Sequence, residues 1–174
     1  MNDTNPPFVA ILMGSDSDLP VMQATINVLT KFDVPYEVKI ASAHRTPDAT
    51  HSYVKEADAR GCATFIAAAG LAAHLAGTVA GLTLKPVIGV PIASGPLNGI
   101  DSLLSTVQMP GGIAVATVAI GKAGAENAAY LAVQFLSHSD EVLAKRLAEE
   151  RRANAEAIMA KDVALQGKTT PPSP

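Results

Sequence analysis

The sequence has few of the residues that export, metal binding and nucleic-acid binding require. Cys62 is the only cysteine in 174 residues, which excludes an intramolecular disulfide and any cysteine-based zinc site and is typical of a reducing compartment. Charged residues make up only 17% of the chain, so we expect part of the surface to be buried against a partner. The 13 Lys and Arg residues form no stripe that could follow a phosphate backbone, which argues against nucleic acid as that partner.

One uncharged stretch, from Gly61 to Leu84, is long enough to cross a bilayer. Half of it is Ala or Gly, and it divides around Gly70 into a strand-like and a helix-like piece. We therefore predict a buried strand and helix here and no membrane span. Residues 1–7 also lack the basic and then apolar pattern of a signal peptide, so we expect a cytoplasmic protein.

Apolar runs alternate with helical spacing along the rest of the chain. The runs predict five strands, at residues 8–13, 36–41, 63–69, 86–90 and 113–120. The helical spacing predicts helices at residues 19–32, 48–60, 72–82, 101–107 and 124–137, with Asp18 and Asp101 as N-caps. This alternation predicts an α/β fold with a doubly wound parallel sheet and right-handed crossovers.

The C-terminal part of the chain differs from the rest in composition. Residues 139–161 predict a long amphipathic helix rich in Glu, Arg and Lys, which is too long to pack wholly on so small a sheet. We expect this helix to reach a neighbouring subunit. The predicted organisation is one domain over residues 8–161, with flexible tails at residues 1–7 and 166–174.

Four unusual loops follow the predicted strands, and ligands bind at the carboxyl ends of such strands. In the first loop, Ser15 and Ser17 stand at a helix opening that favours an anion such as phosphate. Asp18 there either caps the helix or accepts hydrogen bonds from ribose hydroxyls. A capped loop without any ligand is an equally good interpretation of this segment alone.

The second loop, Ser42–Pro47, places an imidazole beside a guanidinium. Arg45 is suited to bidentate phosphate binding, and His44 is suited to proton transfer near neutral pH. Taken alone, such a pair is more often two solvated side chains on a turn. It gains weight because this loop converges with the others.

The third loop combines small residues with a second histidine. Gly70 and Ala72 leave room for a ligand close to a helix start, while His74 either contacts that ligand or is a core histidine. The histidines have no carboxylate or thiolate companions at ligand spacing, which argues against a metal site. Serine-hydrolase, P-loop and dinucleotide-binding glycine motifs are absent. The residues therefore indicate a phosphate-bearing small ligand and proton transfer at one histidine.

Several motifs in order resemble one known family. They are Met-Gly-Ser-Asp-Ser-Asp at 13–18, Ser-Ala-His-Arg-Thr-Pro at 42–47, Ala-Gly at 69–70 with Ala-Ala-His-Leu at 72–75, Pro-Val-Ile-Gly-Val-Pro at 86–91, and Asp-Ser-Leu-Leu-Ser with Val-Gln-Met-Pro at 101–110. Over residues 8–161 the chain resembles the class I 5-(carboxyamino)imidazole ribonucleotide mutases of purine biosynthesis, the catalytic subunits of the older-named phosphoribosylaminoimidazole carboxylase.

The resemblance implies a flavodoxin-like three-layer α/β/α sandwich in a homo-octamer, with active sites at subunit contacts and the C-terminal helix packed on neighbours. It implies no metal and no organic cofactor. The implied reaction moves a carboxylate from the exocyclic nitrogen of a ribonucleotide to the adjacent ring carbon, through decarboxylation, trapping of CO2 and recarboxylation. Transient contact with the ATP-dependent synthetase that makes the unstable substrate is a further expectation.

Carried over by position, the resemblance also assigns roles. His44 matches the proton-transfer residue, and Ser15, Asp18 and Arg45 match substrate-binding residues. Ser17 and Ser42 fall near the phosphate, and Asp18 falls at the ribose. Gly70, Ala72 and His74 match the residues that form the wall of the site beside the CO2.

Three positions depart from the family pattern, and two other functions remain possible. Leu71 stands where a small residue is common, and Ala76 and Ala114 replace usual prolines. One alternative is the related carboxylase that uses free CO2, which typically has Lys-Gly where Arg45 and Thr46 stand here. The other is a nucleotide-binding module without catalysis, which gives no reason for His44.

Overall fold

The computed structural model describes residues 6–169, with side chains through residue 166. Within this range the strands are β1 (Phe8–Met13), β2 (Tyr36–Ile40), β3 (Cys62–Gly70), β4 (Val87–Ile92) and β5 (Ala116–Thr117). The helices are α1 (Leu19–Lys31), α2 (Pro47–Ala59), α3 (Leu75–Ala80), α4 (Ile100–Val107), α5 (Lys122–Ser137) and α6 (Glu141–Thr169). An α/β unit ends at Leu136, and a second unit begins at Ser137.

The strands form one parallel sheet in the order β2-β1-β3-β4-β5. β1 pairs with both β2 and β3, and all six of its residues are buried. A strand covered on both faces needs apolar side chains at every position, which explains the unbroken run Phe8–Met13. The order is that of flavodoxin-like proteins, so the predicted fold class is confirmed.

Helices cover the sheet on both faces. On one face, alternate β1 residues such as Ala10 and Leu12 join a core cluster with Val54 of α2 and Val79 of α3. α4 lies on this face too, because Ser105 in α4 hydrogen-bonds the chain just before α3. On the other face α1 and α5 pack together, joined by a buried hydrogen bond and an edge-to-face ring contact. The predicted three layers are therefore present in the α/β unit.

Two predicted elements are shorter than expected. β5 spans two residues instead of the eight at 113–120, and its partner β4 contains Pro91. Val118 still donates to the Gly89 carbonyl, but Pro91 has no N–H with which to continue the ladder. α3 begins at Leu75 and not at residue 72, because the preceding residues form a loop that is held by α4.

The C-terminal helix differs from the prediction in length. α6 continues to Thr169, so residues 166–169, which the sequence predicts as part of a flexible tail, are helical. Leu143 on the predicted apolar face is buried, whereas Ile158 on the same face and Val142 and Met159 are exposed, so a continuous apolar face that reaches a neighbouring subunit stays a prediction. Of the tails predicted at residues 1–7 and 166–174, residues 1–5 and 170–174 lie outside the described residues. Among the described residues, no helix has both the length and the apolar character of a membrane span.

The single cysteine is a buried core residue, as predicted. Cys62 opens β3, is fully buried, and its thiol donates a hydrogen bond to the Thr64 carbonyl at 3.2 Å. Burial raises the pKa of this thiol to about 11, so it stays protonated at neutral pH.

Candidate active site

The loops that follow β1 to β4 surround a cavity of about 370 Å³ at the carboxyl edge of the sheet. The structure brings every residue predicted for the site to this cavity, whose lining includes Ser15, Ser17, Asp18, Ser42, His44, Arg45, Gly70, Ala72 and His74. Residues far apart in the chain meet here because parallel strands all end at the same edge of the sheet. The cavity therefore combines serine hydroxyls, one guanidinium and two imidazoles.

The loop after β1 is held by a reciprocal pair of side-chain hydrogen bonds. Ser15 is the N-cap of a short 3-10 turn over Asp16–Asp18, where its Oγ accepts from the Ser17 N–H at 3.3 Å. The Asp18 carboxylate in turn accepts from the Ser15 N–H at 3.1 Å. This is a capping box on the 3-10 turn. Asp18 is the N-cap residue of α1, as predicted, but its side chain makes no hydrogen bond to the N–H groups of that helix.

Asp18 is the most buried charged group of the cavity, with only 4% of the residue exposed. Burial raises its pKa above the ordinary aspartate value, and the Ser15 and Gly14 N–H groups oppose that rise. A buried carboxylate with one oxygen held by the backbone is well placed to accept hydrogen bonds from hydroxyls of a ligand.

The loop after β2 is fixed by its own side chains. Ser42 Oγ accepts from the Arg45 N–H at 3.1 Å, and Thr46 Oγ1 accepts from the Ser42 N–H at 3.1 Å. These bonds close the turn just before Pro47 starts α2, so His44 and Arg45 project from a rigid corner. Among residues 6–169 the Arg45 guanidinium forms no ion pair, which leaves it available to an anion.

The two histidines of the cavity contact each other directly. Nε2 of His44 lies 2.8 Å from Nδ1 of His74, and the rings meet edge to face at 83°. A contact of this length requires one nitrogen to carry a proton and the other to accept it. His74 is exposed in the cavity, so the alternative that it is a core histidine is wrong.

The loop after β3 is anchored from α4. Ser105 Oγ accepts from the Ala73 N–H at 2.9 Å, and Thr106 Oγ1 lies 3.5 Å from the Ala73 carbonyl. The motif residues at 101–110 thus support the loop that carries His74. Asp101 lies in the first turn of α4, and the N-cap is Gly99 and not Asp101 as predicted.

Leu71 adopts a backbone conformation that is unfavourable for its side chain. Its φ is +56°, in the left-handed region, which costs a residue with a Cβ about 1–2 kcal/mol. Its side chain is half exposed and reaches towards Gly95 in the loop after β4. A glycine at this position would avoid the strain, because it has no Cβ.

Ser94 also lines the cavity, and the analysis of the sequence missed it. It comes two residues after β4, so the carboxyl-end rule that predicted the other loops applies to it equally. Within residues 6–169 no three His, Cys, Asp or Glu side chains gather in an arrangement that can hold a metal ion.

The fold and the cavity define a class: a flavodoxin-like α/β protein with an arginine and a histidine pair in a cavity at the carboxyl edge of its sheet. The chain belongs to the AIR carboxylase family, whose model matches residues 8–157.

Related proteins align with most of this chain. It is 56% identical over 148 residues to the N5-carboxyaminoimidazole ribonucleotide mutase of Bacillus subtilis, covering 85% of this chain and 91% of that protein. It is 50% identical over 155 residues to the protein of the same name from Escherichia coli, covering 89% and 92%. The crystal structure of Treponema denticola PurE superposes with a TM-score of 0.84 at 33% identity, covering 92% of this chain and 99% of that one.

Proposed function

We propose that this protein is an isomerase of purine biosynthesis, a mutase that converts 5-(carboxyamino)imidazole ribonucleotide into 5-amino-4-imidazolecarboxylate ribonucleotide. The observation that carries the proposal is the His44–His74 pair, with 2.8 Å between its ring nitrogens, on the wall of a cavity that also holds an Arg45 without an ion pair. The names of the relatives support it.

The proton balance of the reaction explains why a histidine is needed. The reaction moves a carboxylate from the exocyclic nitrogen to the ring carbon, so one proton travels the other way. The C–N bond breaks with a proton supplied to the nitrogen, CO2 is released, and the ring carbon attacks it. His44 then takes the proton from that ring carbon, which restores aromaticity. Acid–base help of this kind contributes about 10²–10⁴ in rate.

His74 provides a second imidazole nitrogen that can bind the transferred proton. Because one proton already lies between the two rings, a proton taken by His44 can be balanced by a shift within the pair. His44 can therefore act as base at the carbon and as acid at the nitrogen without exchange with bulk water. We assign His74 to positioning His44 and to this proton balance.

Anchoring falls to the loops after β1 and β2. We place the phosphate at Arg45, the hydroxyls of Ser17 and Ser42 and the open helix start, and the ribose hydroxyls at Asp18. Ser15 helps on the same side, although its hydroxyl also donates to Asp16 at 3.0 Å in the structure.

The loop after β3 forms the other side of the cavity. Gly70 and Ala72 offer little polar surface there, and we place the released CO2 against them. Holding CO2 beside the ring raises its effective concentration far above that in solution.

The direct test is incubation of the purified protein with the carboxyamino ribonucleotide, without bicarbonate and without ATP. The proposal predicts formation of the ring-carboxylated isomer. Conversion of aminoimidazole ribonucleotide only with added bicarbonate would instead identify the carboxylase that uses free CO2. Nucleotide binding without any turnover would identify a module that does not catalyse.

We propose a homo-octamer with its sites at subunit contacts and with residues 8–161 as the functional domain. Support comes from an exposed apolar stripe on and before α4, at Leu97, Ile100, Leu104 and Val107, each between 46% and 58% exposed. Native mass measurement is expected to give eight chains, and a monomer at working concentration would contradict this. We also propose a cytoplasmic location, which is consistent with the free thiol of Cys62. We further propose transient contact with the synthetase that makes the substrate.

A further inference from the structure

We propose that Ser94 is a substrate-contacting residue of this reaction, and that its hydroxyl donates a hydrogen bond to the carboxyl group as that group leaves the exocyclic nitrogen and bonds to the ring carbon. The proposal rests on the proposed function. It adds a residue and a contact that neither the motifs nor the family pattern assigned.

The placement of Ser94 is the first support. β4 lies next to β3 in the sheet, and the chain leaving β4 brings Ser94 against Gly70 on the cavity wall. A Cβ on residue 70 would come 2.5 Å from the Ser94 Oγ. The backbone φ of residue 70 is one that any residue can adopt, so backbone conformation does not require glycine there. Glycine is required because any side chain would occupy the space of the Ser94 hydroxyl.

The second support is that the hydroxyl is not used by the protein. Ser94 is half-buried, and no residue in 6–169 hydrogen-bonds its side chain. Ser15 and Ser42 differ from Ser94, because the hydroxyl of each forms hydrogen bonds within its own loop. A hydroxyl held in a cavity wall without a protein partner is available to a ligand.

The third support is the composition of the wall around it. Besides Ser94 and His74, the lining contributed by β3, β4 and the loops after them consists of Gly, Ala and Leu, including Ala69, Leu71 and Leu75. Apolar surroundings disfavour a carboxylate relative to neutral CO2, which assists release. One hydroxyl in such a wall can hold a carboxyl oxygen and so keep the carbon near the ring.

The electron and proton balance leaves Ser94 unchanged. When the C–N bond breaks, its electron pair stays on nitrogen, the nitrogen takes a proton from His44, and CO2 departs as a neutral molecule. When the ring carbon attacks, a C–C bond forms, the carboxylate is regenerated, and the ring proton goes to His44. Ser94 keeps its own proton throughout and acts only as a donor.

The test compares wild type with Ser94→Ala on substrate labelled with carbon-13 in its carboxyl group, in excess unlabelled bicarbonate. Loss of a hydrogen bond to a charged group predicts kcat/KM lower by about tenfold or more. It also predicts a smaller share of label in the product, because CO2 escapes more often. Ser52→Ala, at an exposed position in α2 away from the cavity, is the matched control and is expected to equal wild type on both measures.

Gly70→Ala provides a second variant, because its methyl group must displace the Ser94 hydroxyl without removing it. We expect the same loss of label. If Ser94→Ala retains wild-type kcat/KM, or retains the label as wild type does, the proposal is overturned. Failure of wild type to convert the substrate at all would instead contradict the proposed function, so the two failures are distinguishable.

Discussion

Replacing Ser105 by alanine tests whether α4 holds the loop that carries His74. Ser105 Oγ accepts from the Ala73 N–H at 2.9 Å and donates to the Asp101 carbonyl at 2.8 Å. Ala73 is only 1% exposed, so water cannot replace the lost acceptor. An unsatisfied buried donor costs about 1–3 kcal/mol, and we expect the free energy of unfolding of Ser105→Ala to fall by that amount.

The same substitution is expected to loosen the histidine contact. The remaining link from α4 to Ala73 is the long Thr106 contact of 3.5 Å, so His74 is held less firmly against His44. We expect faster hydrogen exchange at the Ala73 amide and a lower kcat. Urea unfolding followed by circular dichroism gives the stability, and exchange measured by NMR gives the local effect.

Ser102→Ala serves as the comparison. Its hydroxyl only donates, to the Ile92 carbonyl at 2.9 Å and the Gly99 carbonyl at 2.8 Å, so its loss leaves no N–H unsatisfied. We expect a cost of about 0.5–1.5 kcal/mol and unchanged exchange at Ala73. Wild-type exchange at the Ala73 amide in Ser105→Ala, with stability within about 0.5 kcal/mol of wild type, would refute the reasoning.

Three further substitutions test other parts of the structure. Burial raises the pKa of Asp18, so the folded protein binds this proton more tightly than the unfolded chain and loses stability as pH rises above about 4. Asp18→Asn removes that loss. In urea unfolding, we expect the free energy of unfolding of Asp18→Asn, relative to wild type, to increase from pH 4 to pH 7. A difference that stays constant with pH would contradict the raised pKa of Asp18. Arg45→Lys keeps the charge but not the bidentate geometry, and we expect KM in steady-state assays to rise about tenfold, while an unchanged KM would place the phosphate elsewhere. Gly89→Ala puts a methyl group against Thr106 Cγ2 in the core and is expected to cost about 1–3 kcal/mol by urea unfolding, and full wild-type stability would show that the core has room there.

The sheet could be predicted because its signals are local. The run Phe8–Met13 is apolar at every position, and its predicted bounds match β1. The parallel order then follows from the alternation with helices, and the carboxyl-end rule brings together loops from four strands. For this reason every predicted site residue lies at one cavity, although the sequence says nothing of the distances between them.

The remaining features depend on contacts between segments distant in sequence. That β5 does not continue past Thr117 depends on Pro91 in the neighbouring strand, which the composition of residues 113–120 does not reveal. The conformation of the first loop depends on two side-chain bonds to the backbone, from the Ser17 N–H to Ser15 Oγ and from the Ser15 N–H to the Asp18 carboxylate. The His44–His74 contact joins loops 30 residues apart, and only the folded sheet brings the two rings together. Ser94 was missed because a lone serine in a Gly- and Pro-rich loop has no pattern of its own.

The central claim is that His44 transfers the proton while the carboxylate migrates, and His44→Asn tests it most directly. The measurement is conversion of the carboxyamino ribonucleotide in a single turnover, together with calorimetric binding of the ring-carboxylated product. His51→Asn, at an exposed position in α2, is the matched control. The account predicts that His44→Asn binds the nucleotide within a few-fold of wild type but converts it at least about 100-fold more slowly, while His51→Asn does both normally. Conversion by His44→Asn at the wild-type rate would contradict it.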